Sequence, residues 1–137
     1  MTASVAGILD TNAVILLGDL DPEHLPGEPV ITAITLAELS VGPLVADEPA
    51  ERAARQVRLQ EAESSFDTLP FDAAAARAYG RVAADLRRSG RGVRARAFDA
   101  LIAATALAHD LPVYTCNPRD FASIDGLTVV TLPHPDA

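Results

Sequence analysis

The sequence predicts an α/β fold with a mostly parallel central sheet covered by helices on both faces. Two observations carry this. Short apolar runs rich in Val, Ile, Leu and Thr alternate along the whole chain with segments of helical period. Several of these runs lead within a residue or two into helix-capping residues, the pattern of strands feeding crossover helices. The 137 residues are expected to form one domain, 1–137, long enough to bury a core and too short to divide into two. With aromatics at 4% that core must be built from Ala, Leu, Val and Ile.

Residues 5–17, VAGILDTNAVILL, open the chain with a buried strand ending at Asp10, after which Thr11 and Asn12 offer side-chain oxygens to cap a helix starting at residue 13. Asp10 thereby stands at a strand's carboxyl end, the edge of an α/β sheet where ligands bind. Residues 18–29 carry Asp, Pro and Gly and read as a loop. A second strand is expected over 30–34, running into TLAEL, where Thr35 and Glu38 have capping-box spacing. That places Glu38 in the first turn of a helix after a strand, as with Asp10. Gly42, Pro43 and Pro49 bracket a break before a polar helix over 50–65 with Glu51 and Arg55 at i,i+4.

An extended passage over 66–71 ends at Asp72, which caps a helix over 73–89 with Ala75, Tyr79, Val82 and Leu86 on one face and Gly90 as its stop. The loop SGRGVRARA precedes a helix over 97–109, whose stripe of Phe98, Leu101, Ile102 and Thr105 is expected to face a core, with Asp99 in its first turn off that stripe. Pro112 ends it. A strand over 113–116, a tight turn or short helix over 117–121 and a last strand over 127–132 complete the series. The order of strands in the sheet cannot be read from this.

Composition excludes several chemistries. There is no Lys: all eleven basic residues are Arg, which removes Schiff-base, Walker-type and lysine-base mechanisms. The one Cys, Cys116, forms no intramolecular disulfide or thiolate metal site and points to a reduced, cytoplasmic setting. The N-terminus lacks the basic segment of a secretory signal, and no apolar stretch approaches the roughly 20 residues of a bilayer span. A net charge of −8 disfavours nucleic-acid binding by counterion release alone, so such binding needs a local basic patch or a metal. The dense run Arg87, Arg88, Arg91, Arg94, Arg96 is the available patch, and Arg91, Arg94 and Arg96 are its candidate RNA-binding members.

Asp10, Glu38 and Asp99 fall at helix starts, and a fourth junction, TCNPRDF, adds Asn117 and Asp120. A parallel sheet brings all four junctions to one edge. Two like charges about 4 Å apart repel by roughly 4 kcal/mol at an effective dielectric of 20, so such a cluster calls for a cation or a shared proton. Oxygen donors without Cys or His select a hard ion, Mg²⁺ or Mn²⁺, which suits phosphodiester chemistry. His24, His109 and His134 lie beside no motif, against a mechanism on paired imidazoles.

LDTN with Asp10, AEL with Glu38, FDALIAATA with Asp99, and TCNPRDF together resemble the four motifs of PIN-domain ribonucleases, and the chain's size resembles the VapC toxins of toxin–antitoxin pairs. The motifs span residues 8–132. The resemblance implies a Rossmann-like, three-layer α/β/α fold, Mg²⁺ or Mn²⁺ dependence, endonucleolytic RNA cleavage, homodimerisation and inhibition by a VapB-like antitoxin. It implies that Asp10, Glu38 and Asp99 are catalytic and bind the metal, and that Thr11, Asn12 and Thr115 orient them. Members commonly have Asp where this chain has Asn117, which leaves the fourth position to Asn117 or Asp120. The alternative is a catalytically silent PIN-type scaffold that binds RNA or protein; an incomplete acidic triad would mark it, and here the triad is complete.

Overall fold

Five parallel strands, β1 (Ala6–Leu9), β2 (Glu28–Thr32), β3 (Thr68–Leu69), β4 (Val113–Thr115) and β5 (Val129–Thr131), lie in the order β3-β2-β1-β4-β5 in the computed structural model, which describes residues 5–92 and 96–136. Each of the four pairings is parallel, a stricter outcome than expected. Ile8 stands in register with Val30 on one side and Val113 on the other. The central strand is buried on both faces, so Ile8 and Leu9 read as a continuous apolar run rather than an alternating one.

Five helices cover the sheet: α1 (Thr11–Ile15), α2 (Ala33–Val45), α3 (Pro49–Ser65), α4 (Ala73–Arg88) and α5 (Ala97–His109). On one face Ile8, Val30 and Val113 pack with Ala78, Val82 and Leu86 of α4 and the alanine-rich side of α5. On the other, Leu9 and Ile31 pack with Ala13 and Val14 of α1, Leu39 of α2 and Ala62 of α3. This is the three-layer arrangement expected. No helix among the described residues is long and apolar enough to cross a membrane.

The chain builds outward from β1 to β3, then returns to the other side of β1 for β4 and β5. The order therefore reverses between β1 and β4, and the crevice at the carboxyl ends of those strands is where such sheets take ligands.

Several local features differ from expectation for a physical reason, while β3, β4 and β5 are each shorter than the extended runs that predicted them. The cap of α1 is Asp10 itself, its side chain accepting from the Ala13 N–H, so the helix begins at Thr11 rather than residue 13. The cap of α2 is Thr32, accepting from the Thr35 N–H at 3.2 Å, because β2 runs over 28–32 and ends before residue 34. Thr35 and Glu38 thus form no capping box; both lie inside the helix. Gly42 and Pro43 do not break α2. Pro43 is buried in its last turn, where a missing N–H costs a single ladder bond, and the break comes at Ala46. Phe98 does not face the core: at 54% exposure it is an outward aromatic, because α5 packs through the small side chains Ala100, Ala103, Ala104 and Ala106 together with Ile102 and Thr105. The expected cap at Asp72 is present, accepting from Ala75.

One glycine is required by packing. A Cβ on Gly7 would meet Tyr114 Cε1 at 2.5 Å and Pro26 Cβ at 2.9 Å, contacts that force apart β1 and β4 or displace the loop before β2. Gly7→Ala is expected to cost about 1–3 kcal/mol, the usual range for overpacking, read as a lowered urea midpoint at unchanged slope.

Candidate active site

Asp10 is 3% exposed at the junction of β1 and α1. Its two oxygens have different partners. Oδ1 accepts from the Ala13 N–H at 2.9 Å and Oδ2 accepts from the Thr115 hydroxyl, at the end of β4, at 2.6 Å. Thr115 Oγ1 in turn accepts from the Asn117 N–H at 2.9 Å, so the hydroxyl is oriented with its one proton toward Asp10. Burial raises the Asp10 pKa above the usual carboxylate range, the two hydrogen bonds from Thr115 and Ala13 oppose this, and the charge of Asp120 adds to it.

Glu38 projects from the second turn of α2 and accepts from the Thr11 hydroxyl at 2.7 Å. Thr11 Oγ1 also lies 2.9 Å from Thr35 Oγ1. A hydroxyl has one proton, and Thr11 gives its own to Glu38, so Thr35 must be the donor to Thr11. The fully buried Thr35 thereby anchors a two-step relay that aims Glu38. Burial again raises the carboxyl's pKa, the Thr11 bond lowers it, and the charge of Asp10 raises it further.

Asp99 occupies the first turn of α5. Its pKa is pushed up to about 7, first by burial, then by the charges of Asp120, Asp10 and Glu38, with Arg96 pulling the other way. Four carboxylates therefore share one electrostatic environment at the sheet's carboxyl edge. Asp120, in the 3₁₀ turn Pro118–Phe121, accepts from Arg96 at 2.5 Å and from the Asn117 amide at 3.0 Å. At the fourth junction it is the Asp120 charge that reaches Asp10 and Asp99, while Asn117 holds Asp120 in place.

Of the expected RNA-binding arginines, Arg96 is engaged by Asp120 and Arg91 donates to the Arg119 carbonyl; Arg94 lies outside the described residues. Asn12 is exposed and lines a recess beside Glu38. Two contributors are absent from the sequence-level reading. Thr35 is hidden because its spacing to Glu38 matches a helix cap, and the Arg96–Asp120 pair because it joins a loop arginine to a motif residue 24 positions away.

The donor set is oxygen only, and among the described residues no three His, Cys, Asp or Glu side chains enclose a cation by themselves. Such a set fits a hard octahedral ion, which takes one or two carboxylates and keeps several waters, better than an all-protein cage or a soft-metal site. The carboxyl pKa values are raised first by burial and then by neighbouring carboxylates, and Arg96 is the one cation that lowers Asp99, so the protein supplies little counter-charge of its own.

Residues 8–127 match the model of the PIN domain. The chain belongs to the PIN-domain family. Within that family it is 40% identical over 134 residues to ribonuclease VapC5 of Mycobacterium tuberculosis, covering 96% of each chain. It is 34% identical over 128 residues to the tRNA(fMet)-specific endonuclease VapC of Shigella flexneri, covering 88% of this chain and 92% of the relative. Among solved structures it superimposes on a chain of the M. tuberculosis VapBC-5 toxin–antitoxin system with a TM-score of 0.81 and 39% identity, covering 93% of this chain and 98% of that one.

Proposed function

We propose that this PIN domain is a Mg²⁺- or Mn²⁺-dependent endoribonuclease, the toxin of a toxin–antitoxin pair. It acts in the cytoplasm as a homodimer and is held inactive by a small VapB-like antitoxin. The observation that carries the reading is the gathering of Asp10, Glu38 and Asp99 at the β1/β4 switch point, where burial first and neighbouring carboxylates second raise the pKa of each. Relatives of this degree of identity bear the names ribonuclease and endonuclease, and one structural neighbour is a chain from a member of the VapBC family of toxin–antitoxin systems.

Asp10, Asp99 and Glu38 would hold the ion together with waters that it keeps, and when bound it would supply an activated water and neutralise charge on the phosphoryl oxygens. The protein's own work is positioning. Asp10 is locked by a backbone N–H and a buried hydroxyl, so its oxygens need no reorganisation when substrate arrives. Glu38 is aimed by the Thr35–Thr11 relay. Asp99, with a pKa of about 7, exchanges its proton near neutral pH, and Arg96 holds Asp120 so that a fourth charge stays beside it.

The test is incubation of purified protein, freed of any bound inhibitor, with total RNA in Mg²⁺, Mn²⁺ or EDTA. Cuts at discrete sites with either ion and none in EDTA are expected; intact RNA under all three conditions refutes the nuclease. A companion variant, Thr115→Val, keeps the side chain's shape and removes the donor to Asp10 Oδ2. Losing such an orienting partner is expected to weaken the apparent Mg²⁺ affinity about 10–100-fold with the fold intact, read by metal titration of cleavage.

A further inference from the structure

Glu38 forms a wall of two recesses with opposite chemistry. One, of about 290 Å³, is otherwise lined by Ala37, Val41 and Phe98 and is almost wholly apolar. The other, of about 460 Å³, is lined on its polar side by Thr11, Asn12, Arg55, Arg58 and Glu51, the last of these paired with Arg55. Resting on the nuclease reading, we infer that an RNA strand crosses the site over Glu38, with one nucleobase stacked on Phe98 and a neighbouring phosphate against Arg58.

Phe98 immediately precedes Asp99 and is 54% exposed, beside Val41 at 52%. The Phe98 ring is thus left half open next to Asp99, while α5 packs on the core through its alanines. Single-stranded RNA is recognised largely by stacking its splayed bases on such rings, and a recess of this size accommodates one base.

The two arginines of the other recess are not equivalent. Arg55 is committed, donating to the Gly42 carbonyl at 2.9 Å and to Glu51 at 2.6 Å. Arg58 lies one turn further along α3, half-buried, and among the described residues it has no hydrogen-bond or ion-pair partner. On a chain of net charge −8, a guanidinium without a carboxylate partner beside a carboxylate cluster is a place for a phosphate. A nucleotide presents both a planar apolar face and an anion, and Glu38 sits between the two complementary recesses. Arg91 and Arg96, the sequence's own candidates, are by contrast held by Arg119 and Asp120.

The experiment uses the full chain carrying Asp10→Asn, so that bound RNA stays whole. The probes are a fluorescein-labelled, mixed-sequence oligoribonucleotide and, separately, inorganic polyphosphate, each titrated at several salt concentrations. Phe98→Ala should weaken the oligonucleotide about 5- to 100-fold, the effect of losing one base stack, and leave polyphosphate binding unchanged; Phe98→Tyr should restore it. Arg58→Gln should weaken both probes and lower the slope of log affinity against log salt by about 0.7, one phosphate contact on a single strand. Oligonucleotide binding equal to the parent in both variants overturns the inference. So does a Phe98→Ala effect confined to association between protein chains, measured by sedimentation. Wild-type protein that cuts no RNA sinks the nuclease reading itself, whereas wild type that cuts while both variants bind normally sinks only the strand path.

Discussion

Asp10→Asn is expected to abolish RNA cleavage, by at least the order of 10²–10³ that removal of one electrostatic group from a reaction centre costs, with the protein still folded. The amide keeps an oxygen for the Ala13 N–H, and its NH₂ can donate to Thr115 Oγ1, whose hydroxyl can accept. What is lost is a buried negative charge that burial already disfavours. The metal-free variant should therefore melt no lower than wild type. Asp99→Asn is expected to give the same loss of cleavage. Cleavage surviving in both variants would place the chemistry elsewhere; a lowered melting temperature would reveal a structural role for the carboxylate instead.

The second large effect is on stability against pH. Asp99 has a folded pKa of about 7 against an ordinary value of 3.8. Between these pH values the folded chain keeps a proton that the unfolded chain has released, so folding is progressively disfavoured as pH rises from about 4 to about 7. The elevated pKa values of Asp10 and Glu38 act in the same direction. Metal-free protein should thus melt lower at pH 8 than at pH 5. Mg²⁺ should reverse this, because a cation occupies the charge that protons occupied. At a hundred times its dissociation constant it contributes about 2.7 kcal/mol, and each kcal/mol moves the midpoint of such a domain by roughly 4 °C. The Mg²⁺-induced rise in melting temperature should be larger at pH 8 than at pH 5 and much reduced in Asp99→Asn. A rise that does not depend on pH, or that survives the substitution, would show the ion binding away from these carboxylates.

The alternation of apolar runs and helical segments is enough to recover the five strands and five α-helices of the described residues, and with them the parallel sheet, because burial on both faces leaves an unmistakable pattern at Ile8–Leu9 and Val30–Ile31, whereas the two 3₁₀ helices Leu17–Asp19 and Pro22–His24 fall in a stretch that reads as loop. Asp10, Glu38 and Asp99 were legible because a parallel sheet collects its strand ends. What was not legible depends on contacts between distant segments. The boundary between β2 and α2 is set by pairing with β1 and β3, which moves the cap from Thr35 to Thr32 and frees Thr35 to support Thr11. The exposure of Phe98 follows from which side of α5 meets α4, and small residues win that choice by allowing close approach. Strand order and the Arg96–Asp120 pair have no local signature at all.

The Thr115 hydroxyl steadies Asp10 from 105 residues downstream, and β4 must be in place beside β1 for it to do so. Synthesis runs from the N-terminus, so Asp10 and Glu38 leave the ribosome long before Asp99, Thr115 and Asp120. An unfinished chain holds two unsupported acids and no assembled centre. The centre this fold assembles therefore cannot form until nearly the whole sequence has emerged.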